Sequence, residues 1–449
     1  MKKVQRYIPE LAFQKFEEVY ISDNPLFKHE KEVFYFVMDL FFRLKVYNKN
    51  ALYTEDGLIR ISSKYFRAYI SKNYASYLRW MVKHQLIVCD RIKKTGKAYG
   101  YEIHPDVESR LIGVEIPKNA LITQKIIDNY NKRQKFHKKT DEHILQMKRY
   151  FKKTVRINTK EALDWLEENL RSKVFSMNQY CVYLLSIKMI ENEEFFFNVN
   201  SANGRVDTNI TNLKSDIRRF LIGDYYHIDT KNSQPLIVNF ILNYIIQYSN
   251  YKVLNLSSPT PPLPLYSPSL GTEYEKILSK ELNNSDLDML KNFPLNEETI
   301  KEFNDYRAAT FQKDFYNHLK EQYEDLYSKT ISRTDMKELI LKVFFSRNFA
   351  YKKAKALFRV RYPVITDIIF KLKKECHNKL ALCLQRIESE IFIKRICKKL
   401  VENNIIPITI HDSVIVLSQD KNKAIQIISE TYNEILGGIP EFEIEKLTV

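Results

Sequence analysis

Apolar residues recur at helical spacing over 28–46 (KHEKEVFYFVMDLFFRLKV), which predicts a helix. A shorter helical piece is expected over 61–70. A third spans 73–84 (NYASYLRWMVKH), with Asn73 as its cap and Tyr77, Leu78 and Met81 on one face. QLIVCDRI and AYGYEIHP then read as two strands around a Lys-Thr-Gly-Lys turn. Residues 117–198 are helical in pattern and strongly basic, above all over 132–156, where Phe136, Tyr150 and Phe151 stand among the cations as a candidate phosphate-tracking surface. The one Pro/Ser-rich stretch, 256–271, reads as an exposed insertion that is neither helix nor central strand.

Helix, helix and β-hairpin in that order resemble the layout of a winged helix. On that reading 73–84 is the recognition helix, and Lys93, Lys94 and Lys97 sit on the wing near phosphate. The alternative is a small helical domain for protein contact. The composition bears on this choice: 71 Lys+Arg against 55 Asp+Glu leave a formal charge of +16, most simply matched by a polyanionic partner such as nucleic acid. With 44% hydrophobic residues the chain is no disordered polyelectrolyte, and no run of 18 apolar residues suggests a membrane span. Five scattered cysteines without a C-x-x-C pair argue against a disulfide framework or a structural zinc site, and for a reducing, cytoplasmic compartment.

Three segments carry candidate chemistry. In DYYHIDT (224–230) a short β-type run ends at Asp229, and Ser233 and Pro235 then suit the first turn of an apolar helix. In NNIIPITIHDSVIVLSQD (403–420) two β-rich runs flank His411-Asp412, which places the pair at a hairpin tip. A carboxylate at the end of a buried strand is costly unless it is paired or holds a metal. In SRTDMKELILKVFFSRNF (332–349), Arg333 and Lys337 share one helical face, with Phe345 two turns further on, a grip suited to a triphosphate and a base. Singly, each has an ordinary explanation: a turn residue, or an amphipathic basic helix.

Taken in order, these segments resemble the motifs of family A DNA polymerases and the related single-subunit, phage-type RNA polymerases. Asp229 matches the strand-end Asp of motif A. Arg333, Lys337 and Phe345-Ser346 follow the R-x3-K-x7-Y-G spacing of motif B, and His411-Asp412 matches the H-D of motif C. Upstream, NGRVDTNITNLKSDIRRFL (203–221) is similar to the family segment in which Arg205 would meet the primer–template and Arg218 and Arg219 would lie near the palm. LCLQRIESEIF (382–392) resembles the template-contacting helix, with Gln385 and Glu388 as candidates. The likeness covers about residues 200–420 and has departures. Tyr-Gly is replaced by Phe345-Ser346, H-D-E by H-D-S, and the steric-gate Glu falls on or near Gln234.

The resemblance implies an α+β, mostly helical right-hand polymerase: a palm with an antiparallel sheet, and helical fingers and thumb. A winged-helix-like domain (1–115) and a basic, thumb-like region (116–200) would precede palm and fingers (201–449, fingers about 240–360). Asp229 and Asp412 would bind two Mg²⁺ ions, with Mn²⁺ as the alternative, and the Thr230 backbone would complete one coordination shell. Lys337 and Arg333 would hold the triphosphate, Phe345 would stack on the nascent base pair, and His411 would lie near the primer terminus. The implied partners are primer–template DNA and nucleoside triphosphates, in a bacterial or phage-infected cell, with the enzyme belonging to a phage, plasmid or mobile element. No acidic exonuclease constellation is visible in the first 200 residues. The missing hydroxyl at Phe345 leans the reading towards DNA synthesis and the H-D-S towards an RNA polymerase or primase-like enzyme. A non-catalytic replication initiator is the rival from another class.

Overall fold

The apolar run of the N-terminal segment forms the helix Lys31–Tyr47, buried along most of its length. The structure is a computed structural model, and it describes residues 4–23, 31–47, 57–90, 98–134, 140–248, 268–312 and 315–447. Asp39 and Arg43 are charges inside this helix, so they must be paired. Asp39 accepts from Arg6 Nη1 and from the Tyr7 amide, each at 3.0 Å, and it also pairs with Arg43. Arg43 in turn donates to Glu194 Oε2 at 2.5 Å. One buried network therefore ties the first strand and this helix to the segment that follows the helix Met177–Glu191.

The expected hairpin is present as part of a three-stranded antiparallel sheet, in which Gly100–Ile103 lies between Ile59–Arg60 and Ile87–Cys89. Ser62 caps the helix Ser63–Tyr69. Asn73 precedes the helix Tyr74–Lys83, but its side chain makes no capping bond. Lys93, Lys94 and Lys97 lie outside the described residues, as do Phe136 and 256–267 of the Pro/Ser-rich segment. The end of that segment is helical after all: Pro268 opens the helix Pro268–Leu278, a position where its missing N–H costs nothing. Helices Leu121–Gln134, Glu142–Thr154, Thr159–Arg171 and Met177–Glu191 fill the next stretch. Phe151 is buried there against Phe195 and Phe197, so it is a core residue and not part of a phosphate-tracking face.

The rest of the chain is built on a four-stranded antiparallel sheet in the order Phe442–Leu447, Tyr225–Thr230, Ser413–Leu417, Ile408–Ile410. Ile228 and Val414 pair across it and are fully buried, which fixes the register. The helix Ser233–Tyr248 leaves the central strand and packs on Glu297–Phe311, Lys379–Ile391 and Lys421–Leu436. A helical subassembly holds the helix Arg333–Phe345 between Phe315–Tyr327 and Lys352–Arg361. The architecture is α+β and mostly helical, and among the described residues no helix is long and apolar enough to cross a membrane.

Candidate active site

Sheet register brings the two acidic residues together. Asp229 pairs with Ser413, one residue beyond Asp412, and Ile410 pairs with Ser413, which leaves His411 and Asp412 as a two-residue hairpin loop. His411 takes a left-handed φ of 53°, as does Asn232 on the other side, at 54°. Two non-glycine residues in this sparsely populated region flank the carboxylates, and such strain concentrates where a site demands a particular geometry. Burial pushes the Asp229 carboxyl up to about 7, and the neighbouring Asp412 charge adds to the rise against Lys337, Lys231 and Arg218. Ser413 is taken up by the sheet: its hydroxyl meets His227 Nε2 at 2.7 Å and donates to the Ile410 carbonyl at 2.9 Å.

The facing wall is the helix Arg333–Phe345, started by Ser332, whose hydroxyl accepts from the Asp335 amide at 3.0 Å. Arg333, Lys337 and Leu341 come one turn apart and all line the cleft. The Arg333 guanidinium lies over the Tyr316 ring, 5.6 Å from its centre. Phe345 is not among the cleft-lining residues; it is half-buried beside Phe344. Ser346 ends the helix with φ −91° and ψ 163°, an extended conformation open to any residue, so this turn has no need of a glycine.

A third cluster closes the cleft. Arg205 Nε and Nη2 donate to the two oxygens of Glu388 at 2.7 and 2.8 Å, and Gln234 donates its amide N–H to the same carboxylate. Asn203 Nδ2 donates to Gln385 Oε1 at 3.2 Å, and Arg386 Nη2 to the Ser201 carbonyl at 3.3 Å, docking the 200–205 turn on the helix Lys379–Ile391. Gly204 makes that docking feasible: its φ is +78°, and a Cβ would stand 3.1 Å from Ser389 Cβ. Burial pushes Glu388 up to about 7, and Asp412 reinforces this against Arg205. Arg218 reaches the site electrostatically, since its charge acts on Asp229. Arg219 instead stacks on Trp165 and Phe220, at 5.4 and 4.9 Å.

Asp229, Asp412, His411, Thr230, Gln234, Arg333, Lys337, Arg205 and Glu388 thus share one cleft of about 290 Å³, at the small end of the roughly 300–1,000 Å³ usual for ligand pockets. Sequence reasoning missed Tyr316 and Glu443. Glu443 pairs in register with Asp229 from the last strand and forms an ion pair with Lys231. Neither position carries a motif; only tertiary pairing brings them in. A larger groove of about 900 Å³ lies along residues 390–404. Its cations are already matched, Lys394 by Glu390 at 3.0 Å and Lys399 by Glu434 at 2.6 Å.

Among the described residues no three His, Cys, Asp or Glu side chains gather as a metal cage. Two hard carboxylates with open space beside them are instead the donor set that suits Mg²⁺, which keeps waters and takes substrate phosphates as ligands. Asn232 Oδ1, Ser233 Oγ and Gln234 Oε1 in the cleft wall are buried without a hydrogen-bond partner among the described residues, as expected of groups that meet a ligand. The Thr230 hydroxyl is engaged with Tyr432 OH at 3.3 Å.

No family model matches the chain, and no curated protein matches it. Among solved structures, it aligns with the POL domain of Pol1 from M. smegmatis in complex with DNA primer-template and dNTP at a TM-score of 0.24 and 11% identity. The alignment takes in 63% of this chain and 55% of that one, so the chain spans little more than half of its length.

Proposed function

We propose that the chain is a template-directed nucleotidyltransferase that extends a 3′-hydroxyl, with DNA synthesis favoured, in the service of a phage, plasmid or mobile element. The observation that carries the reading is the juxtaposition of Asp229, on a central strand, and Asp412, in the loop of the neighbouring hairpin, with Arg333 and Lys337 across one cleft. Asp229 and Asp412 would hold two Mg²⁺ ions. When bound, these would lower the pKa of the attacking hydroxyl and neutralise the triphosphate. Arg333 and Lys337 bind the phosphate oxygens, and Lys337 stabilises the charge that develops on the departing pyrophosphate. Tyr316 keeps the Arg333 guanidinium in place by stacking. Arg205 and Gln385 meet the primer–template, and His411 borders the primer terminus.

Residues 1–115 are read as a winged-helix-like DNA-binding domain, 116–200 as thumb-like, and 201–449 as palm and fingers. The exposed Ala75 and Arg79 on the helix Tyr74–Lys83, with the exposed Lys72 in the turn before it, suit a groove-facing surface. The test is extension of a labelled primer–template with dNTPs and NTPs offered separately, alongside binding in EDTA. Metal-dependent extension by dNTPs is the expected result. Extension by NTPs alone would move the enzyme to RNA synthesis. Tight binding in EDTA without extension by either would replace the reading with a replication initiator.

A further inference from the structure

Glu388 is the single charged side chain among the buried residues of the helix Lys379–Ile391, where it lies beside Leu384, Ile387 and Ile391. A carboxylate in such a place costs more than an apolar side chain of the same volume unless its partners repay it. Its partners are Arg205 and Gln234, which lie 183 and 154 residues away in sequence and both line the cleft. The pairing also fixes which way the Gln234 amide faces. The amide nitrogen donates to the Glu388 carboxylate, so Oε1 faces away. That oxygen is buried without a partner among the described residues, and so is the adjacent Ser233 Oγ. A buried acceptor left unpaired is unfavourable, and a ligand that donates to it is correspondingly favoured.

We propose that Glu388 is a positioning residue. It secures Arg205 and turns the Gln234 amide so that Oε1 accepts a hydrogen bond from a sugar hydroxyl of the incoming nucleotide. This rests on the nucleotidyl-transfer reading, in which Arg333 and Lys337 hold the same nucleotide by its phosphates. The donor is either the 2′- or the 3′-hydroxyl, and the two are separable by substrate. Arg205, bound bidentately to the same carboxylate, favours its ionised, accepting form against burial, so the three side chains act as a unit.

The experiment measures single-nucleotide addition from dNTP, NTP and 2′,3′-dideoxynucleotide by the wild type, Glu388→Gln and Gln234→Leu, with thermal unfolding of each. Gln234→Leu leaves the Arg205–Glu388 pair intact and so guards against a folding defect. Wild type should discriminate against the sugar that lacks the recognised hydroxyl. In both variants that discrimination should shrink by about tenfold or more, chiefly through KM. Loss confined to the dideoxynucleotide comparison assigns the 3′-hydroxyl; loss in the NTP-to-dNTP ratio assigns the 2′-hydroxyl. Wild-type extension with unchanged sugar selectivity in both variants overturns the proposal alone, even if their melting temperatures fall. Absence of extension by the wild type with every nucleotide overturns the nucleotidyl-transfer reading and this proposal with it.

Discussion

Asp229 holds its proton more tightly than an ordinary carboxyl because it is buried and faces a second carboxylate, Asp412. The consequence for stability has a definite sign. A carboxyl raised from 3.8 to about 7 contributes stability fully below about pH 4, and that contribution is lost as pH rises through 7. The metal-free protein should therefore be less stable at pH 8 than at pH 5 on account of this site, and Mg²⁺ should restore the difference. Asp412→Asn removes the repulsion, so it should raise metal-free stability at pH 8 by about 1–2 kcal/mol in thermal unfolding, with a smaller gain at pH 5. A destabilised Asp412→Asn would contradict a site that stores charge repulsion for a cation. Across the cleft, Lys337→Ala should lower nucleotide incorporation by roughly 10²–10³-fold, read as kcat/KM in steady-state assays. Primer–template affinity should change little.

At the scale of elements, the site depends on how close the 200–205 turn comes to the helix Lys379–Ile391. Gly204→Ala meets both a positive φ and the Ser389 side chain, so it should cost about 1–2 kcal/mol in denaturant unfolding and displace Arg205. Unchanged stability would mean that the turn can shift without loss. The strand ending at Asp229, the hairpin around His411-Asp412 and the helix of Arg333 and Lys337 were all legible from local patterns. Each is bounded by its own turn or cap, and its polar residues interrupt an apolar period. Three features were not legible. The strand Phe442–Leu447 is mostly exposed and half charged because it is an edge strand held by backbone pairing. Tyr316 reads as one more aromatic on an amphipathic helix until the fold lays Arg333 over it. Glu388 was read as a template contact, yet its helix buries it against Arg205 and Gln234.

Across the whole molecule, the buried Arg6–Asp39–Arg43–Glu194 network joins the N-terminal strand and helix to the segment that leads into Phe197–Val199. Arg43→Ala would leave the buried Glu194 without its cation and remove one of the partners of Asp39, and should destabilise the protein by about 3–5 kcal/mol. The unfolding transition of that variant, followed by circular dichroism, should move for the whole chain and not only for its first hundred residues. The net charge of +16 should give the proposed nucleic-acid binding a steep inverse dependence on salt.

The central claim is that Asp229 and Asp412 form the catalytic centre of nucleotide addition. It is tested most directly by adding one dNTP to a labelled primer–template bound to wild type or Asp412→Asn, with Mg²⁺ or EDTA. The account predicts a primer one nucleotide longer only for wild type with Mg²⁺, a rate lower by about three orders of magnitude or more in the variant, and equal binding by both proteins. Extension by Asp412→Asn at the wild-type rate, or none by wild type despite tight binding, would contradict it.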